Sequence, residues 1–202
     1  MARGYAEIAF TDAVKALQTA RGSRDAYARR EGGGEAEALG PAEVQFLVSR
    51  RSFYMATVSE TGWPYVQHRG GPAGFLEALG PRRIGFADAA GNRQHVSLGN
   101  LAGEPRVSLF LMDYANRRRL KIFGRAEVSD DPFTLERLAV PGWAARIERA
   151  ILIEVAAFDW NCPQRIPELY GLEDVRAATA GLTARIAALE AELATLRGGA
   201  AG

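Results

Sequence analysis

Between residues 52 and 158, apolar and β-branched residues come in short runs, each closed by a turn signal within a few residues. That spacing limits the fold more than any other feature. Ser52 to Ser59 is one such run, Glu60-Thr61-Gly62 turns the chain, and Trp63 to Arg69 returns, which predicts a hairpin. Arg83 to Asp88, Arg106 to Asp113, Arg118 to Val128 and Ala150 to Phe158 supply four more runs. The run from Arg106 is almost continuously apolar, as a buried strand is, while the run from Arg118 alternates along much of its length. Strands this close, joined mostly by turns and short helices, predict a small antiparallel barrel of six strands and argue against a parallel α/β sheet.

Helices are expected around this β region, so the class is mainly β with flanking helices (α+β). Phe10 to Arg30 reads as helical, capped by Thr11 and interrupted near Gly22. Glu31-Gly32-Gly33-Gly34-Glu35 reads as a flexible linker. Pro41 suits the first position of a second helix, which ends near Arg50-Arg51. Pro132 to Leu138 is a short helix, and Phe75 to Leu79 a short segment ended by Gly80-Pro81. Asp159 to Arg165 is too polar and too proline-marked to continue a strand, and the chain is helical again from Leu172 to about Arg197. The expected division is an N-terminal arm and linker over 1–40, a barrel over 41–170 and a C-terminal helix over 171–202.

The formal net charge is +1, and the longest basic run is Arg117-Arg118-Arg119 with Lys121. Neither nucleic acid nor membrane is expected as a partner. Cys162 is the only cysteine, which excludes an intrachain disulfide. The chain opens on no apolar leader and holds no run of membrane-spanning length, so a cytoplasmic protein is expected. His68 and His95 with one cysteine make no zinc pattern, and no metal is expected. No glycine-rich nucleotide fingerprint follows a strand, and Ser59, Ser97 and Ser108 lack a nucleophile-elbow context. No residue stands out as a catalytic acid or base.

One stretch offers chemistry. Gly91-Asn92-Arg93-Gln94-His95-Val96-Ser97-Leu98 follows the run from Arg83 and is expected to open a short helix at Asn92. A helix N-terminus presents free N–H groups and partial positive charge. A guanidinium from Arg93 and amides from Asn92 and Gln94 would make it an anion site, most naturally for phosphate. The plainer alternative is a solvated helix start. Gln67-His68-Arg69-Gly70-Gly71 and the arginines at 117–119 flank the site in function if the fold brings them near. On a strand Arg118 points away from Arg117 and Arg119, so either a solvated strand end or the edge of an anionic ligand accounts for that cluster.

Taken together, Pro64 to Gly71, Gly91 to Gln94, Asn100-Leu101 with Pro105-Arg106-Val107, and Arg118 to Glu127 resemble the pyridoxamine 5′-phosphate oxidase-like, FMN-binding split-barrel family. The segment Asp159-Trp160-Asn161-Cys162-Pro163-Gln164 resembles one subgroup of it. The resemblance implies a six-stranded Greek-key split barrel, a homodimer, and FMN in clefts between the subunits. It also implies that Asn92 and Arg93 lie at the FMN phosphate and that Gln67, His68 and Arg69 run beside the ribityl chain and ring. Arg119 falls five residues before Gly124, where the oxidases carry a glutamine near the ring; a cation there, from Arg119 or Lys121, would favour the anionic reduced flavin, and Arg118 is a further cofactor-binding candidate. The substrate pattern of the true oxidases has no counterpart, so activity on pyridoxamine phosphate is not expected. Three readings stand: an FMN-dependent oxidoreductase acting on a small molecule, with NADH or NADPH as a candidate electron donor; a non-enzymatic flavin or haem carrier or sensor; and a structural protein organised by its terminal helices.

The last helix carries its own pattern. Leu172, Thr179, Ile186 and Leu193 occupy heptad a positions, and Val175, Leu182, Leu189 and Leu196 occupy d positions. In a parallel pair Arg185 at g would face Glu190 at e, and Glu192 at g would face Arg197 at e. A parallel two-helix coil on the dimer axis is therefore expected; a helix lying on its own barrel usually shows a wider apolar stripe.

Overall fold

The computed structural model describes residues 4–29, 31, 38–160 and 164–199. Most of the expected glycine linker, Gly32-Gly33-Gly34, and Asn161, Cys162 and Pro163 of the tail lie outside the described residues.

The strands are β1 (Ser52–Val58), β2 (Pro64–Gly70), β3 (Leu76–Gly80), β4 (Arg83–Ala89), β5 (Arg106–Asp113), β6 (Arg118–Ser129) and β7 (Ile147–Trp160). They form one sheet in the order β2-β1-β5-β6-β7-β4-β3, antiparallel at every described pairing. Two expectations are corrected here. The sheet has seven strands, the extra one being β3, whose only sheet neighbour is β4. The sheet is also not closed by backbone hydrogen bonds, since β2 and β3 are its free ends.

It curls nonetheless. Phe53 of β1 and Phe86 of β4 meet edge to face with ring centroids 5.2 Å apart. Four strand spacings separate them in the sheet order, about 19 Å if it were flat. Only a strongly coiled sheet brings these rings together, around a core that includes Met55, Leu109, Leu111, Leu120, Ile122, Ile151 and Ile153. Burying each of those side chains is worth about 1.5–3 kcal/mol. The register between β6 and β7 shifts at Phe123/Gly124. A Cβ at Gly124 would lie 2.5 Å from Ile153 Cγ2 and 2.8 Å from the Glu154 carbonyl, so glycine permits that close approach.

β7 is longer than its apolar run. It continues through Asp159 and Trp160, contrary to the expectation that polarity ends it, because both polar atoms find partners. Asp159 pairs with Lys121 at 2.9 Å, and the Trp160 indole N–H donates to Glu43 Oε1 at 2.6 Å.

The helices are α1 (Tyr5–Ala9), α2 (Asp12–Ala20), α3 (Arg24–Ala28), α4 (Pro41–Ser49), α5 (Val96–Gly103), α6 (Pro132–Arg137) and α7 (Leu172–Gly199). Thr11 caps α2 by accepting from the Val14 N–H at 3.4 Å. The helical stretch expected over 10–30 is interrupted at Gly22, φ +71°, as its sequence suggests, and forms α2 and α3. α1 lies against the sheet, with Tyr5 stacked on Phe123 at 4.9 Å. Among the described residues no helix is long and apolar enough to cross a membrane.

Candidate functional site

β2 is an edge strand, and its side chains alternate between the two faces of the sheet. Gln67 and Arg69 stand opposite Met55 and Phe53 of β1, so they share the interior face. His68 stands opposite Tyr54 on the outer face.

The interior group opens onto the end of β4 and the turn after it. The Arg69 guanidinium donates through Nη1 to Asp88 Oδ1 at 2.5 Å. Asp88 lies directly across from Arg149 of β7, which reaches its other oxygen at 3.2 Å. Arg149 also donates to Glu148 at 2.8 Å. Hydrogen bonding from Arg146, then from Arg149, holds the Glu148 carboxyl below its ordinary range against the opposing effect of burial. Ser97 Oγ donates to Gln67 Oε1 at 2.8 Å, tying α5 to the edge strand.

The helix does not begin at Asn92, as its sequence suggests. Arg93 (φ +60°) and His95 (φ +54°) adopt left-handed backbone, and α5 starts only at Val96. Two such residues within three cannot continue a right-handed helix. The Gln94 N–H donates to Asn92 Oδ1 at 3.2 Å, an Asx turn that occupies the carbonyl oxygen and leaves the Asn92 amide N–H groups as donors. The first-turn N–H groups of α5 have no intrahelical acceptor.

These elements line a cleft of about 70 Å³ bounded by Gln67, Arg69, Asp88, Asn92, Arg93, Ser97 and Arg149, with the start of α5 at its wall. Three guanidiniums face two carboxylates there, Asp88 and Glu148. Arg69 Nε is buried and has no hydrogen-bond partner among the described residues. A surplus of cationic donors, amide N–H groups and a helix start match an oxyanion. The volume admits a group the size of a phosphate and is well below the roughly 300–1,000 Å³ of pockets that enclose a whole ligand. Phosphate chemistry therefore fits; a complete flavin nucleotide does not fit within the cleft of one chain.

The remaining residues singled out in the sequence lie elsewhere. Tyr54 pairs with His68 on one side and Phe110 on the other, and Phe110 with Lys121, making a row across the outer face. The Tyr54 and His68 rings meet edge to face at 5.6 Å. The Arg119 guanidinium lies 5.0 Å from the Phe110 ring centre, with its Nε buried and unpartnered. Lys121 lies 4.5 Å from the Tyr5 ring centre and bonds Asp159. Burial pulls its ammonium down, but the Asp159 and Tyr5 partners outweigh that and leave it above its ordinary range. Arg118 points away from Arg119, onto the rings of Trp160 (4.5 Å) and Phe46 (5.3 Å). Gln94 is exposed and does not line the cleft.

Thus Gln67, Arg69, Asn92 and Arg93 come together, while His68, Arg119 and Lys121 sit on the opposite face of the sheet. Asp88, Ser97, Glu148 and Arg149 complete the cleft and went unrecognised in the sequence. An aspartate closing the apolar run Ile84 to Ala87 was a signal for Asp88; Arg149 needed the β4–β7 pairing to be seen.

A family model described as pyridoxamine 5′-phosphate oxidase matches residues 39–161. Solved structures with a similar fold include a HupZ variant from Group A Streptococcus, at 11% identity and TM-score 0.50, over 61% of this chain and 99% of that one. Another is a protein described only as a candidate pyridoxamine 5′-phosphate oxidase from Lactobacillus delbrueckii, at 21% identity and TM-score 0.46, over 60% and 93%. A third, described as an FMN-binding protein from Syntrophomonas wolfei, has 9% identity and TM-score 0.48, over 73% and 97%. At such identities the likeness is one of fold. No curated protein matches the sequence.

Proposed function

We propose a function that starts from one fact: this chain belongs to the pyridoxamine 5′-phosphate oxidase family. In our reading it is a homodimeric, FMN-dependent oxidoreductase acting on a small molecule other than pyridoxamine phosphate. The observation that carries this is the phosphate-sized, cation-rich cleft between β2 and the turn before α5. Arg93, Arg69, the Asn92 amide and the first-turn N–H groups of α5 would hold the phosphate, and Gln67 the polar ribityl chain.

The two-faced distribution supports a second copy. Arg119 and Lys121 cannot reach their own chain's cleft from the outer face of the sheet without crossing it. That face exposes Tyr54, Val58 and Val66, 42%, 37% and 60% accessible, an apolar surface suited to burial. A second copy laid on it would bring these cations to the ring end of the nucleotide. The flavin, when bound, supplies the redox chemistry; the protein supplies orientation and charge. Lys121, held cationic by Asp159, acts there as fixed charge and not as a proton acceptor.

The test is the visible spectrum of the purified protein reconstituted with FMN. Tight flavin binding, bleaching by NADH or NADPH and recovery in air are expected, with no pyridoxal phosphate formed from pyridoxamine phosphate. Binding without reduction by either donor would make the protein a carrier, and absence of binding would remove the flavin altogether.

A further inference from the structure

We propose that α7 pairs with α7 of a second copy of this chain as a parallel, in-register, two-stranded coiled coil. The helix runs unbroken for 28 residues, four heptads and about 42 Å. Every residue from Leu172 to Arg197 is exposed in the single chain. The seam is exposed with the rest: Leu182 is 68%, Ile186 57%, Leu193 51% and Leu196 65% accessible. A helix of this length with such a seam gains most of its stability by packing the apolar face. Among the described residues, nothing of its own subunit covers that face. At the start of α7, Glu173 is tied to Arg51 at 2.6 Å, beside the first residue of β1.

The seam is narrow and single. Large apolar residues hold a and d throughout except at Thr179, while the other faces carry alanines such as Ala177, Ala184 and Ala191. That is the pattern of a two-stranded seam and not of a helix sunk into a globular core. Thr179 does not spoil it: its hydroxyl donates to the Val175 carbonyl of its own helix at 2.9 Å, so it enters the seam already satisfied.

Charge selects the partner and the direction. In a parallel pair Arg185 meets Glu190 and Glu192 meets Arg197, each twice by symmetry, and no like charges meet. In the antiparallel alignment that sets Ile186 against Leu189, Arg185 meets Glu192, but Arg176 meets Arg197. A second copy in parallel register thus satisfies both apolar seam and flanking charge. The proposal shares only the second copy with the proposed function and needs no flavin.

The experiment uses the full chain with Cys162→Ser, so that one introduced thiol is the only one present. Leu196→Cys at a d position and Ala191→Cys at an outward f position are oxidised with diamide and resolved by non-reducing electrophoresis. The expected result is efficient cross-linking from position 196 and little from 191. No cross-link at 196 would overturn parallel pairing, because an antiparallel coil sets 196 against 179; equal cross-linking at both would overturn the seam. Sedimentation of the chain lacking 172–202 should show dimer dissociation strengthened about tenfold or more, since linked contacts multiply affinity. An unchanged dissociation constant would also overturn the proposal. FMN absorbance on the same samples reports the flavin reading separately.

Discussion

Arg69 and Asp88 join the first and the sixth of the seven strands of the curled sheet. β2 is its first strand and β4 its sixth, yet Arg69 Nη1 lies 2.5 Å from Asp88 Oδ1. The pair bridges the split that no backbone hydrogen bond spans, and both side chains are almost wholly shielded, 12% and 6% accessible. The same carboxylate holds Arg149, so one aspartate orients two of the three guanidiniums in the cleft.

Asp88→Asn keeps the shape and removes the charge shared by two arginines. Breaking a buried ion pair from one side leaves uncompensated charge, and a loss of about 3–5 kcal/mol is expected. Urea unfolding of the variant checks this; an unchanged midpoint would show the bridge to be of no energetic consequence.

Arg93→Ala should weaken FMN binding by about tenfold or more, because a hydrogen bond to a charged group contributes about 1.5–3 kcal/mol. Fold stability should hold, since Arg93 is exposed at a turn. Fluorescence titration with FMN reads the affinity, and riboflavin, lacking the phosphate, should bind variant and parent alike. Equal FMN affinity in both proteins would move the phosphate elsewhere.

Arg119→Gln should make the reduction potential of the bound flavin more negative. A cation favours the anionic reduced form, and Arg119 retains an unpartnered Nε beside Phe110. Dye-equilibration titration of the reconstituted variant measures it. A potential that does not move would place Arg119 away from the ring.

Acid should destabilise the fold partly through Asp113. Burial pushes its carboxyl up, but hydrogen bonds from Asn116 and the Arg50 guanidinium at 3.1 Å outweigh that and leave it below its ordinary range. A folded value below the unfolded one, roughly 3.9, gives stability that is full above that value and is lost as pH falls through the folded value. Asp113→Asn should therefore be less stable at neutral pH and show a flatter loss below about pH 4. Unfolding curves at neutral and acid pH for both proteins decide it.

What the sequence disclosed follows from what is local. Alternation in Arg118 to Val128 and the turn at Glu60-Thr61-Gly62 depend on neighbours in the chain, and both the strand and the hairpin are there. β3 was missed because Leu76 to Gly80 is short and takes its strand character from pairing with β4. The turn at Arg93 and His95 was read as helix because neither residue compels left-handed backbone, whereas glycine, as at Gly22, readily marks it. Gln67 and Arg69 could be named but not parted from His68, since the face a strand residue takes depends on which side the core forms. The Asp88–Arg149 contact belongs to two strands 61 residues apart, and only topology joins them.

A barrel that is fastened by a side-chain clasp behaves unlike one fastened by amide ladders. Releasing Arg69 from Asp88 breaks no ladder hydrogen bond, since β2 keeps its register with β1 and β4 keeps its register with β7. The sheet therefore has a seam at the cleft that side chains close in place of backbone: the Arg69–Asp88 ion pair together with core packing such as Phe53 on Phe86. If the cleft takes an oxyanion as proposed, that group would meet the guanidiniums of Arg69 and Arg149 that Asp88 already holds, so occupancy and the side-chain seam would share one carboxylate.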